Sequence, residues 1–185
     1  MHRIEAYVTL AIIIILGISI LYLPIMFFLK KKGVEILRQI SYLLLFCSFF
    51  LIVFATIFFV RNINFKPERY ILNLQPFDWL KNIKYIGIDN VLAETIPNII
   101  MFIPLGLLIP VVFISKRKLY KTIIIVFAIS FSAEFIQYFI GRSSDIDDII
   151  TNVLGGIIGY GIFKICSKLL RDKLWWKKFS GFKET

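Results

Sequence analysis

Glu134 is the one charged residue in the otherwise uncharged run 122–140, and Gln137 and Tyr138 follow it three and four residues later. On a helix that spacing puts all three on one face. A carboxyl group so placed can act as a general acid or base, or accept hydrogen bonds from a bound molecule. A second polar set follows: Arg142, Asp145, Asp147, Asp148 and Asn152. Asp145 and Asp148 are three apart and Asp148 and Asn152 four apart, so these share a face too. Ser144 or Asp145 suits the N-cap of a helix that starts there. Asn98 is a further polar residue, near the start of the long apolar run 96–115. Three acids within four residues carry enough charge for Mg²⁺ or Ca²⁺, but their spacing matches no metal-binding loop. The same acids stabilise the positive end of a helix. No metal and no cofactor is assigned. The chain's one histidine is His2, so no Ser or Cys nucleophile stands beside a histidine base. The catalytic candidates reduce to Glu134 and Asp148, and neither is established as catalytic.

What positions these residues is a set of membrane spans. The chain is 58% hydrophobic and 18% charged, against roughly 45–50% and 25% for soluble domains. Its mean hydropathy is +0.81. Residues 6–29, 40–60 and 96–115 carry no charge at all. Each run is near the length that crosses about 30 Å of hydrocarbon. The run 122–140 is a fourth span, and a short glycine-rich run over 149–163 is a fifth, long enough if it starts near Ile146. A soluble helical bundle is excluded because the first two runs have no polar face for water. The first span does not read as a cleaved leader, since its apolar run is too long and Lys30, Lys31 and Lys32 follow it.

Basic residues set the expected orientation. Of the 22 Lys and Arg residues, 15 fall in segments 30–39 and 115–121 and in the tail from Lys164, all on one side by span count. The positive-inside rule makes that side cytoplasmic, with the N-terminus outside and the C-terminus inside. Then Asn98, Glu134, Gln137, Arg142, Asp145, Asp148 and Asn152 all lie near the outer face. The net charge of +10 is a membrane-surface feature, able to hold the inner face to anionic headgroups. No nucleic-acid motif surrounds it, so nucleic acid is not a partner. Cys47 and Cys166 read as packing residues rather than a disulfide.

The expected fold is an all-α membrane protein: a bundle of about five transmembrane helices. It divides into two N-terminal spans (1–60), an amphipathic extracytoplasmic connecting segment between helices 2 and 3 (61–94), a three-helix core (95–166) and a basic cytoplasmic tail (167–185). In the connecting segment Tyr70, Phe77, Trp79 and Tyr85 suit the headgroup layer. Pro97, Pro104 and Pro110 predict a kinked or partly unwound third span. Gly155 and Gly159 form a G-x-x-x-G that, with Gly156, allows close helix packing. A carboxylate inside a span must find a partner or be protonated. Arg142 is the natural partner of Glu134, with Gln137 or Asn152 as hydrogen-bond donors. Two readings of the cluster stand: the residues satisfy one another and fix helix packing, or they line an outward-facing pocket that binds or processes something.

At these residues the chain resembles the VanZ-like family of bacterial membrane proteins. The resemblance rests on Leu72-Asn73-Leu74-x-Pro76-Phe77, Asn98, Phe102-Ile103-Pro104-Leu105-Gly106-Leu107-Leu108, Glu134-x-x-Gln137, Asp145-Ile146-x-Asp148 and Asn152-x-x-Gly155-Gly156, in that order. These pieces cover about residues 70–163. The resemblance implies a multi-pass protein of the bacterial plasma membrane. It also implies a link to resistance against the glycopeptide antibiotic teicoplanin, or to cell-envelope homeostasis. It carries over no catalytic residue. The partners to expect are membrane lipids and a lipid-linked cell-wall precursor or teicoplanin-type lipoglycopeptide, whose acyl chain makes an outward-facing membrane site a sensible meeting point. A non-enzymatic binding protein is the leading reading. A membrane enzyme acting on a lipid headgroup through Glu134 or Asp148 is the alternative, and a small transporter the second.

Overall fold

Long uncharged runs in hydrocarbon satisfy their backbone groups internally, and in this chain they do so as helices. The computed structural model describes residues 2–58, 72–78, 83, 85 and 87–182. The helices are α1 (His2–Lys31), α2 (Ile36–Phe58), α3 (Ile88–Val112), α4 (Leu119–Phe139), α5 (Ile146–Leu169) and the short α6 (Leu174–Ser180). A 3₁₀ turn, Ile114–Lys116, follows α3, and two short strands, β1 (Leu72–Asn73) and β2 (Ser144–Asp145), pair in parallel. Helices α1 to α5 are long and apolar enough to cross a membrane. The chain is a multi-pass membrane protein. Its outward faces carry side chains such as Leu21, Ile20 and Ile124, which lipid tails solvate as well as a protein interior would.

Helices α3 and α5 form the tightest contact, and glycines make it. A Cβ at Gly155 would collide with the carbonyl oxygen of Ile99, one at Gly159 with that of Ile103, and one at Gly106 with that of Gly156. Gly156 faces the other way, toward the Val126 side chain of α4. Beside this seam Ile52 of α2, Phe102, Leu105 and Ile109 of α3 and Val126 of α4 form the main core. Helix α1 packs chiefly against α2 and is otherwise exposed.

Several expectations need correction. The third span is a continuous helix through Pro97, Pro104 and Pro110, not an unwound one. It packs along α5 and α2, which keep the groups freed by proline inside the bundle. It also starts at Ile88, inside the expected connecting segment. Most of the rest of that segment, with Tyr70 and Trp79, lies outside the described residues. The fifth span runs on to Leu169. The basic tail is partly folded, since α6 buries Trp176 against Val111 and Phe163.

Two arginines fasten the basic end of the bundle. Arg38 donates from Nη1 to the carbonyls of Val111 (2.8 Å) and Phe179 (3.2 Å) and from Nη2 to that of Val112 (2.6 Å). Arg117 donates to the carbonyls of Pro110 (3.1 Å) and Ser180 (2.6 Å). These are the free carbonyls at the ends of α3 and α6, where cations suit the helix dipole. Burial, and then the charge of Arg38, hold the Arg117 guanidinium below its usual range, though an arginine stays protonated.

At the opposite, acidic end a carboxylate network ties the 72–78 segment to the α4–α5 turn. Asp145 is the N-cap of α5: its Oδ1 accepts from the Asp147 amide (2.9 Å) and its Oδ2 from Asn73 Nδ2 (3.0 Å). Asp147 is buried and accepts from the backbone amides of Phe77 (2.6 Å) and Asp78 (3.1 Å). Phe77 has φ 61°, a left-handed conformation that costs a bulky residue roughly 1–3 kcal/mol. The Asp147 carboxylate offsets part of that.

Gly159→Leu should destabilise the bundle by at least about 2 kcal/mol through overpacking. Gly161→Ala, which meets nothing within 4 Å, should stay within about 0.5 kcal/mol of the native chain. Thermal unfolding in detergent compares the two, and equal losses would mean the α3–α5 seam is not tight. Asp147→Ala should speed hydrogen exchange at Phe77 and Asp78 by at least about tenfold, the factor carried by 1.4 kcal/mol. Unchanged exchange would mean that Asp147 does not anchor the segment.

Candidate functional site

The seam between α3 and α5 puts Asn98 opposite Asp148, and Asn98 Nδ2 donates to Asp148 Oδ1 at 2.7 Å. One turn further along α5, Asn152 is buried and donates from Nδ2 to Ser130 Oγ of α4 at 3.0 Å. One turn after Ser130 comes Glu134, 3% exposed. Its Oε2 accepts from the backbone amide of Asp145 at 3.0 Å. The Gln137 amide pairs donors with acceptors in one orientation only: nitrogen toward Glu134 Oε1 (3.0 Å) and oxygen toward Arg142 Nη1 (3.2 Å).

These groups surround one cavity of about 230 Å³. Asn98, Glu134, Gln137, Arg142, Asp148 and Asn152 all line it, with Thr56 of α2, Phe102 of α3 and Ala133 of α4 among the other walls. Asp145 belongs to the cluster in sequence but does not line the cavity; it caps α5 and holds Asn73. The three neighbouring acids do not converge. Asp145 binds Asn73, Asp147 binds the Phe77 and Asp78 amides, and Asp148 binds Asn98. Among the described residues no group of three or more His, Cys, Asp or Glu side chains is arranged to hold a metal ion.

Arg142 reaches Glu134 through Gln137. No direct ion pair within 4.0 Å joins Arg142 to Glu134 or Asp148 among the described residues. The cavity is also rich in acceptors. Asn152 Oδ1 is buried and has no partner, an omission worth about 1–3 kcal/mol when no ligand fills it. Among the described residues the second carboxylate oxygen of Asp148 receives no hydrogen bond either. The arrangement can take up a polar group that donates several hydrogen bonds.

Ser130 and Thr56 are the site residues that sequence reading missed. Ser130 had a usable signal: it lies four residues before Glu134, on the same helical face. Thr56 is a polar residue in an apolar span, but nothing in the sequence says that α2 packs beside α4 here.

Apolar space adjoins the polar cavity on both sides. A groove of about 360 Å³ runs between α2 and α4, with Thr56 and Ala133 lining both it and the polar cavity. A second hollow of about 500 Å³ lies on the outer face of α4 and shares Glu134; Leu72, Phe131, Phe135 and Ile149 line it. Phe127, Phe131, Phe135 and Phe139 form a ladder of ring contacts along that face of α4.

Residues 40–167, which take in every residue named on the cavity wall, match the model of the VanZ/LLP1 family. The chain is 34% identical to Protein VanZ of Enterococcus faecium over 110 residues, 59% of this chain and 62% of that relative. The match therefore spans less than two thirds of that relative's length. No solved structure matches. With more than half of its length matched, and the Glu134, Asp148 and Asn152 elements inside the matched region, the chain belongs to the VanZ/LLP1 family.

Proposed function

We propose that this VanZ-like protein sits in the bacterial plasma membrane with its N-terminus outside and its C-terminus in the cytoplasm. In this orientation the cavity opens to the outside and binds a lipid-linked envelope component or an acylated glycopeptide. Its contribution is to glycopeptide resistance of the teicoplanin type or to envelope homeostasis, without catalysis. One observation carries this reading: five polar side chains from three helices, with Arg142 from the turn between α4 and α5, converge on a single cavity at the acidic end of a membrane bundle. The alternative, a lipid-headgroup enzyme, draws on the two carboxyl groups in that cavity. The hydrogen bonds count against it. One Glu134 oxygen and one Asp148 oxygen are already engaged in joining α3, α4 and the start of α5, and the other Glu134 oxygen takes the Gln137 amide within α4, which suits a binding wall better than a general base.

Expression in a glycopeptide-sensitive Gram-positive host should raise the inhibitory concentration of teicoplanin several-fold and leave that of vancomycin near its starting value. Glu134→Ala and Asp148→Asn, at equal membrane levels, should return the host to baseline, because removing one partner of a buried charged hydrogen bond costs about 2–5 kcal/mol. Variants that protect as well as the native protein would make the cluster structural only. The orientation has its own test in a chain with Cys47 and Cys166 replaced by alanine. A cysteine at Ser143 should react with a membrane-impermeant maleimide in intact cells, and one at Ser115 only after permeabilisation. The opposite pattern inverts the topology.

A further inference from the structure

The polar cavity and its apolar neighbours lie side by side, and their chemistry is lopsided. Thr56 and Ala133 belong both to the polar cavity and to the α2–α4 groove. That groove is walled by Phe49, Ile52, Val53, Ile125 and Ile129 and lies within the membrane-crossing stretches of both helices. A molecule that filled both would be an amphiphile, with its chain at hydrocarbon depth and its headgroup at the membrane edge. The headgroup space of about 230 Å³ holds roughly eight water-sized groups at about 30 Å³ each. It admits the small end of a headgroup rather than a whole glycopeptide.

The wall of that space says what the small end is. Two carboxyl groups, Glu134 and Asp148, face a single guanidinium, Arg142. The Asn98 and Gln137 amide nitrogens are already used on Asp148 and Glu134. Arg142 keeps further guanidinium donors beyond the one on Gln137, but among Asn98, Asp148 and Asn152 what remains is acceptors: the buried Asn152 Oδ1, which has no partner, and, among the described residues, the second Asp148 oxygen and Asn98 Oδ1. A phosphate is itself all acceptor and negative, so beside Asp148 and Asn152 it would repeat what that part of the wall already has. An ammonium group brings three donors and a positive charge.

We infer that the site takes a single-chain or acylated amphiphile whose headgroup presents a protonated amine, with the amine among Asn98, Asp148 and Asn152 and the chain in the α2–α4 groove. This rests on the binding reading above and narrows it to one headgroup chemistry. An amine-bearing phospholipid and an amine-bearing lipoglycopeptide both satisfy it.

The test uses the full chain in phosphatidylcholine nanodiscs and three probes with the same diazirine-bearing sixteen-carbon chain: hexadecylamine, hexadecanol and hexadecyl phosphate. Crosslinks are mapped by mass spectrometry. Hexadecylamine should label residues 49–56 and 124–133 several-fold more than the phosphate, while all three label the lipid-facing Ile20 and Leu21 of α1 equally. Asn152→Ala should reduce the amine's preference. Ala128→Trp, which fills the groove without touching the polar wall, should block labelling there and leave the unfolding temperature near native. Displacement of hexadecylamine by phosphatidylethanolamine or by teicoplanin upholds the proposal and distinguishes a resident lipid from the drug. Equal or stronger labelling by hexadecyl phosphate overturns the amine assignment and leaves the binding reading standing. Labelling of the groove no higher than that of α1 by every probe overturns both.

Discussion

The close contact between α3 and α5 sets the spacing on which everything at the acidic end depends. Gly155 and Gly159 lie against the Ile99 and Ile103 carbonyls, and Gly106 lies against Gly156. Backbones this near each other bring short side chains within reach, and Asn98 needs such an approach to donate to Asp148 at 2.7 Å. In a bilayer the attraction between helices comes from packing and a few hydrogen bonds, because lipid tails are as apolar as leucine. The glycines supply the packing, and Asn98 supplies one of the hydrogen bonds. Since Gly156 turns its open side to Val126 of α4, the same stretch of α5 fits two neighbours at once. Asn152, one turn earlier, then reaches Ser130 of α4.

Glu134 shows how a carboxyl group is tolerated at that depth. It is held by a backbone amide from the start of α5 and by a neutral amide, Gln137, that passes the charge of Arg142 along. A direct salt bridge would bury two charges and require both to shed water. The relay keeps Arg142, which is only half-buried, nearer the surface. Asp145 links this to the 72–78 segment, since its backbone holds Glu134 while its side chain holds Asn73. A change at any of these positions is felt across α3, α4, α5 and the segment over them.

Much of this was legible in the sequence because hydrocarbon makes strong demands on composition. Uncharged runs near 20 residues gave the spans, and three- and four-residue spacing gave the shared faces of Glu134 with Gln137 and Asp148 with Asn152. The G-x-x-x-G pointed to a close helix contact. The rest depended on distances in three dimensions. Arg38 sits 73 and 141 residues from two of the carbonyls it binds, and no local pattern announces a cation that closes helix ends so far away. The docking of α6 was hidden for the same reason: a basic tail reads as solvated until Trp176 is seen against Phe163. The three prolines pointed to unwinding because proline weakens an isolated helix, whereas α3 stays helical throughout with neighbours on more than one side.

The two ends of the bundle answer the same problem with opposite chemistry. At the basic end, arginines carry donors to free carbonyls at the ends of α3 and α6, and the helix dipoles favour the charge. At the acidic end, carboxylates take amides from the start of α5 and from Phe77 and Asp78. The difference between the ends is in what is left over. Arg38 engages all three of its guanidinium nitrogens, on three carbonyls and the Tyr42 hydroxyl. The acidic end keeps an unpaired buried acceptor, Asn152 Oδ1, on the wall of a polar cavity; the basic end has unpaired buried atoms too, Gln39 Oε1 and Trp176 Nε1, but away from that cavity. What sets Asn152 apart is its place: the unmet acceptor lies on the same cavity wall as Asp148 and Asn98, where α3 and α5 meet.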